Sequence, residues 1–155
     1  MPTQGSELAD QHLVIDVVNR YSDAANRRDV ESILELWTDD GVWDVGPPIS
    51  LLCEGRAAIA EVLARIRSFE LLVQVPSPVV VRVDGDVARA HVTIQETTRG
   101  PEPGVGWRLT GIYEDELVRE LDRWRFKRRT LRIVHADRPA PLGTVRPAPF
   151  TDHRF

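Results

Sequence analysis

Apolar residues at Val14, Val17, Val18, Tyr21 and Ala25 recur at i, i+3, i+4, i+7 and i+11, the spacing of one helical face. That stripe predicts a first helix capped by Asp10 or Ser6 and running to about Ala25, with residues 1–9 as a frayed arm. Asp16 and Asp23 fall on the opposite, solvated side. Asp29 reads as the cap of a second short helix whose face is Val30, Ile33, Leu34 and Trp37. Thr38-Asp39-Asp40-Gly41 breaks the chain, and Val42-Trp43-Asp44-Val45 reads as a strand ended by Gly46-Pro47-Pro48. A loop through Cys53 leads to a third helix over about Arg56 to Ser68, with Ile59, Val62, Leu63 and Ile66 on its buried side. The period then changes from 3.6 to 2. Val79 to Val83 predicts a strand, Asp84-Gly85-Asp86 a tight turn and Val87 to Thr98 the partner strand. Arg99 to Gly106 is a loop, and Trp107 to Arg119 pairs with Trp124 to Val134 in a second long hairpin.

Three helices with one early strand, followed by a long antiparallel meander, describe an α+β fold with the helices packed on one face of a curved sheet. The expected organisation is one domain over residues 1–137 and an extended tail over 138–155, which carries Pro139, Pro141, Pro147 and Pro149.

Composition narrows the chemistry mainly by exclusion. The chain has 155 residues, 42% hydrophobic and 28% charged, enough for one ordinary core. No apolar run approaches the ~20 residues of a membrane helix. The start lacks a basic region followed by an apolar one, so a cytoplasmic location is expected and a secretory signal is not. The single Cys53 excludes an internal disulfide and a multi-cysteine zinc site, and a net charge of −4 offers nothing to nucleic acid or an anionic membrane. All of the 20 basic residues except Lys127 are arginine, and many crowd between Arg119 and Arg132. Acidic Glu114, Asp115, Glu116, Glu120 and Asp122 lie beside them, so this run reads as the solvated side of a strand. There is no Gly-rich phosphate loop, serine nucleophile elbow or His/Cys metal spacing.

One position stands out on the residues alone. Asp115 shares a strand face with Leu109, Gly111, Tyr113 and Leu117, so alternation places a carboxylate on an apolar surface. Burial without a partner would raise its pKa toward use as a general acid, or as a base if paired. The alternatives are a structural carboxylate bonded to arginine or backbone, and a bulge that turns it outward among Glu114 and Glu116.

Six short motifs in order carry a family resemblance. They are Arg20-Tyr21; Asn26-Arg27-Arg28-Asp29; Leu36-Trp37-Thr38-Asp39-Asp40; Gly55-Arg56-Ala57-Ala58-Ile59; Val83-Asp84-Gly85-Asp86-Val87-Ala88; and Gly111-Ile112-Tyr113-Glu114-Asp115 leading to Trp124-Arg125-Phe126. Together, over roughly Glu7 to Asp137, the chain resembles the SnoaL-like group of the nuclear transport factor 2-like superfamily. The resemblance implies a cone-shaped α+β barrel with an apolar cavity, and a homodimer through the outer sheet face. It also implies cofactor-independent chemistry on a small hydrophobic molecule, as in a lyase, isomerase or cyclase. Other members only bind ligands or assemble complexes, so fold narrows the menu without choosing from it.

By the same resemblance, Asp115 matches the inward acid of a ketosteroid isomerase strand, and Tyr21 matches a tyrosine that donates to a developing oxyanion. His91 draws two opposed expectations. Resemblance to a scytalone dehydratase strand turns Arg89, His91, Thr93, Gln95 and Thr97 toward the cavity; amphipathicity instead buries Ala88, Ala90, Val92 and Ile94 and leaves His91 wet. The usual first-helix Asp and strand His of the group's dehydratases correspond here to Asn26 and Gln74, neither of which titrates. The position of the isomerase base falls on Val45, with Asp44 on the opposite face. Trp43, Val45, Gln74, Trp107 and Tyr113 are the expected pocket walls. Two rival functions stand beside acid–base catalysis: a non-catalytic ligand-binding or dimerisation module, and epoxide hydrolysis or epoxide-opening cyclisation. The last needs an Asp–Arg–Asp group, to which Arg89 or Arg128 would contribute beside Asp115.

Overall fold

A computed structural model describes residues 4–138 and 143–146. The first helix, α1 (Gln4–Arg27), starts well before the expected cap: Gln4 to Ala9 contains no proline, and Glu7 stands in the first turn, where a negative charge is favourable. Asp10, the expected cap, lies inside it and turns its carboxylate to Arg119, 2.6 Å away. The expected inner stripe is buried, joined by Ala24, while Asp16 and Asp23 make exposed i, i+4 ion pairs with Arg20 and Arg27.

Asp29 caps α2 (Val30–Glu35): its carboxylate accepts from the Ser32 amide at 3.1 Å and the Ser32 hydroxyl at 2.7 Å. Trp37 does not extend that helix. It opens β1 (Trp37–Val45), which absorbs the four residues read as a break. Gly41 makes this possible, since a Cβ there would come within 2.8 Å of the Trp37 ring. β2 (Leu51–Glu54) pairs with β1 where a loop was expected. α3 (Arg56–Leu63) follows and tightens into a 3-10 turn over Ala64–Ser68. β3 (Leu71–Pro76) is a further strand outside the period-2 reading, because its inward positions are Leu72 and the polar Gln74. β4 (Val80–Asp84), β5 (Val87–Arg99), β6 (Gly106–Glu120) and β7 (Arg123–Asp137) match the expected meander.

The sheet runs β2-β1-β7-β6-β5-β3, with β4 also paired to β5. Only β1 and β7 run parallel; the other pairs are antiparallel. The result is an α+β fold with a few helices on a curved, unclosed sheet. In β7, Lys127 and Val134 are extra residues against β6, and such bulges bend and twist a strand. The core lies between α1 and the inner face, where Val14, Val18, Ile33, Trp37, Ile59, Val92, Ile94, Leu117 and Phe126 are fully buried. Apart from Arg138 and residues 143–146, the expected extended tail lies outside the described residues. Within the part described, the Gly143 carbonyl accepts from Arg99 at 2.8 Å.

Candidate active site

Asp115 projects from the inner face of β6 and is only 2% exposed. Its neighbour across the β6–β7 ladder is Arg129, whose Nε lies 3.0 Å from Asp115 Oδ1, with both side chains fully buried. Plain alternation from Trp124 and Phe126 would send Arg129 outward with Lys127. The extra residue at Lys127 resets the count, and Phe126 and Arg129 both turn inward. Burial pushes Asp115 up to about 6, against the lowering effect of the Arg129 charge.

The ion pair is close but poorly aligned. Neither Asp115 oxygen and none of the Arg129 Nε, Nη1 or Nη2 atoms makes a hydrogen bond among the described residues. What surrounds the guanidinium instead is aromatic: its central carbon lies 3.7 Å from the Tyr113 ring centre, 4.2 Å from Tyr21 and 4.6 Å from Phe126. Cation–π attraction compensates part of the lost hydration. Tyr21, on the buried stripe of α1, also meets the rings of Tyr113, Trp37 and Phe126 edge-on. Burial raises Tyr21 well above the ordinary phenol range and pushes Tyr113 up to about 12, so both stay neutral donors at physiological pH. Trp43 and Val45 share this inner face through their parallel register with Arg129 and Leu131. The Nε1 atoms of Trp37 and Trp43 are buried without an acceptor among the described residues.

A second polar group belongs to the opposite end of the β5–β6 ladder. Glu96 accepts from Gln74 Nε2 and from Trp107 Nε1, each at 2.9 Å. The Ser22 hydroxyl donates to Gln74 Oε1 at 2.7 Å, and Gln74 also interacts with the Tyr113 hydroxyl. Burial pushes the Glu96 carboxyl up, with the Trp107 and Gln74 hydrogen bonds pulling the other way. Asn26 and Gln74 do meet, but as a clamp: Asn26 Oδ1 accepts from the Gln74 amide at 2.7 Å, and its Nδ2 donates to the Gln74 carbonyl at 3.0 Å. Of the residues expected at the site, Tyr21, Tyr113 and Asp115 therefore gather around one guanidinium, while Gln74 and Trp107 hold Glu96.

The structure leaves four candidates outside this group. His91 is exposed on the outer face of β5, as amphipathicity implies, and lines an external groove with Arg89 and Arg128. It is corrected from the cavity side because Ala90 and Val92 occupy the inward positions on either side of it. Neither Arg89 nor Arg128 joins Asp115; Arg129 does. Asp44 points outward and pairs with Arg128 at 2.6 Å. Arg129 and Glu96 escaped the sequence reading. Glu96 continues the inward series Ala88, Ala90, Val92, Ile94, a signal present in the alternation; Arg129 depends on a bulge and carried no such signal. Cys53 is buried with its thiol pushed up by burial, which suits packing and not nucleophilic attack. Among the described residues no group of three His, Cys, Asp or Glu side chains is placed to hold a metal ion, and no helix is long and apolar enough to cross a membrane.

The fold has many solved relatives. A putative scytalone dehydratase from Novosphingobium aromaticivorans superposes with a TM-score of 0.79 at 20% identity, covering 93% of this chain and 100% of that one. A hexachlorocyclohexane dehydrochlorinase of the LinA type 3 from Novosphingobium barchaimii gives a TM-score of 0.79 at 16% identity, covering 94% and 100%. An NTF2-like protein with a cystatin-like fold, again from Novosphingobium aromaticivorans, gives 0.69 at 23% identity, covering 86% and 92%. At these identities the likeness establishes the fold alone. No curated protein matches the sequence. The family model of the SnoaL-like domain, however, matches residues 6–130, the helices and nearly the whole curved sheet. On that match, and with the fold in agreement, this chain belongs to the SnoaL-like family.

Proposed function

We propose that this protein is a cofactor-independent lyase or isomerase acting by acid–base chemistry on a small, largely hydrophobic molecule. The observation that carries the reading is Asp115, a carboxylate buried among aromatic rings, raised to about 6 and touching an arginine with unused donors. A group with that pKa is mostly ionised at neutral pH and still proton-accepting, the compromise a general base needs. Asp115 would take a proton from a carbon beside a carbonyl. Arg129 and the neutral phenol of Tyr21 would hold the oxygen on which negative charge develops. Returning the proton to another carbon completes an isomerisation; expelling a leaving group with the freed electron pair completes an elimination. Cyclisation of a polyketide-like substrate uses the same first step. The likeness to a putative dehydratase and to a dehydrochlorinase agrees with this class of reaction.

The test is proton–deuterium exchange at carbons next to a carbonyl, followed by NMR over a panel of cyclic ketones and aryl ketones. Asp115→Asn is expected to lower exchange by about 10²–10⁴-fold with the circular dichroism spectrum intact. In the wild type, the rate should climb as pH passes about 6 and then level off. Full exchange by the Asn variant would end the assignment, and exchange by neither protein would favour a ligand-binding module.

A second reading, epoxide opening, draws on the Asp115–Arg129 contact, since protonated Asp115 could deliver a proton to an epoxide oxygen. That chemistry also needs a carboxylate to activate water. Glu96, a half-buried acid further along the inner face, is already committed to Gln74 and Trp107. The proposal extends to a homodimer through the outer sheet face and to a cytoplasmic setting.

A further inference from the structure

The interior holds a lopsided set of unmet hydrogen bonds. Around the Asp115–Arg129 pair, the donors without acceptors are Arg129 Nε, Nη1 and Nη2, Trp37 Nε1 and Trp43 Nε1, and apart from Nε, which touches Asp115, four of them face no acceptor. The unmet acceptors are the two Asp115 oxygens, one of which already touches Arg129 Nε. Buried polar groups nearly always find partners, so four donors on one inner face point to a missing acceptor. Arg129 is fully buried, and Nη1 and Nη2 form the outer edge of a planar fork whose third nitrogen is turned to Asp115. That edge matches two oxygens of one planar anion. The surroundings are the rings of Tyr21, Trp37, Tyr113 and Phe126, which suit a flat apolar body.

We propose that the ligand of this site is a small aromatic or conjugated carboxylate, gripped by Arg129 Nη1 and Nη2, and that it enters together with one proton that settles on Asp115. The inference deepens the acid–base reading and rests on the same pair. Its charge logic follows from what faces the pair. Among the described residues, Arg129 from β7 supplies the positive charge that acts on Asp115; Asp115 and Tyr113 from β6, Tyr21 from α1 and Glu96 from β5 are the acids whose charges act on this cluster. The phenols are neutral, and Glu96 is held by Gln74 and Trp107. A second anion on Arg129 takes over the positive charge that keeps Asp115 ionised, so the Asp115 carboxyl becomes easier to protonate. Below its free-state value of about 6 the proton is already present; above that value it must be taken up on binding. Binding therefore arms Asp115 as an acid that can protonate its own ligand, whereas an uncharged ligand leaves it a base.

The experiment is isothermal titration of the full chain with benzoate, phenylacetate and cinnamate, each compared with its neutral amide, at pH 5 and pH 7 in two buffers of different ionisation enthalpy. At least one acid should bind about tenfold or more tightly than its amide, a difference carried by charge at nearly constant shape. Proton uptake should approach one per site at pH 7 and fall toward none at pH 5, and affinity should weaken as pH rises above 6. Arg129→Lys, which keeps the charge and loses the fork, should remove most of the preference for the acids. Equal binding of acids and amides, binding without proton uptake at pH 7, or no binding by any of the three acids would overturn the inference. The comparison of acid with amide needs only the wild type, so a variant that fails to fold does not blunt it. Exchange of carbonyl α-protons that persists without any preference for acids would sink this inference while leaving the acid–base reading standing.

Discussion

Asp115 and Arg129 are an expensive pair to hold in a small core. Each loses its hydration, and their one contact is a 3.0 Å approach without aligned hydrogen bonds. Replacing such a pair with apolar groups is often neutral or stabilising, whereas removing one partner strands the other charge at a cost of about 3–5 kcal/mol. The double variant Asp115→Leu/Arg129→Met should therefore melt at or above the wild-type temperature, while Arg129→Met alone melts well below it; calorimetry of the three proteins decides this. Activity and acid binding should vanish in both variants. The same carboxyl also links stability to pH. Its folded-state value of about 6 lies above the ordinary 3.8, so the native state binds the extra proton in between. The stability contributed by Asp115 is complete below about 4 and is lost as pH rises to about 6, a change of about 3 kcal/mol over the window. Urea midpoints of the wild type minus those of Asp115→Asn should fall across that range and then stay level.

At the scale of elements, the inner face of β7 depends on one extra residue. With Lys127 present, Phe126 and Arg129 reach the core only because the strand bulges between them. Deleting Lys127 makes the alternation regular and leaves Phe126 opposite Leu117 and Arg129 opposite Asp115. The deletion should preserve the fold, and acid binding should change by no more than a few-fold, measured by the titration above. The lost contact is an exposed ion pair with Asp40, which contributes little. The clamp between α1 and β3 behaves differently, since Asn26 satisfies both backbone groups of Gln74. Asn26→Ala leaves them unpaired in a half-buried place and should cost about 1–3 kcal/mol in denaturant titration. It should also loosen Gln74 and so Glu96. Those two elements show where legibility ended. The α1 stripe and the meander could be read because one residue type recurs with one period over many positions. β3 could not, because its inward Gln74 broke the alternation, and the breaker reading of Thr38 to Gly41 failed because Gly41 serves close packing on Trp37.

For the whole molecule, the arginine excess lies largely on the outer surface, as its pattern implied. Arg132 pairs with Glu114, Arg128 with Asp44, and Arg119 with both Asp10 and Asp86. Between these charges lie exposed Val73, Val75, Val80 and Val87. If that face joins two copies, sedimentation should report twice the chain mass, and Val80→Lys should shift the equilibrium toward the single chain without changing α-proton exchange. Arg129 is the exception to the surface pattern. The sequence alone determined the helical stripe, the long hairpins and the inward Asp115, because these follow from local periodicity and need only neighbouring residues. It also carried the resemblance that the family match confirms. Only the tertiary structure decided which arginine meets Asp115, which of the two opposed expectations for His91 held, that Asn26 and Gln74 form a clamp, and that Gln74 and Trp107 hold Glu96. The choice of arginine turns on the register between β6 and β7, and the clamp on how α1 meets β3. One bulged residue reverses which side of the sheet a side chain takes, and nothing in local composition announces it.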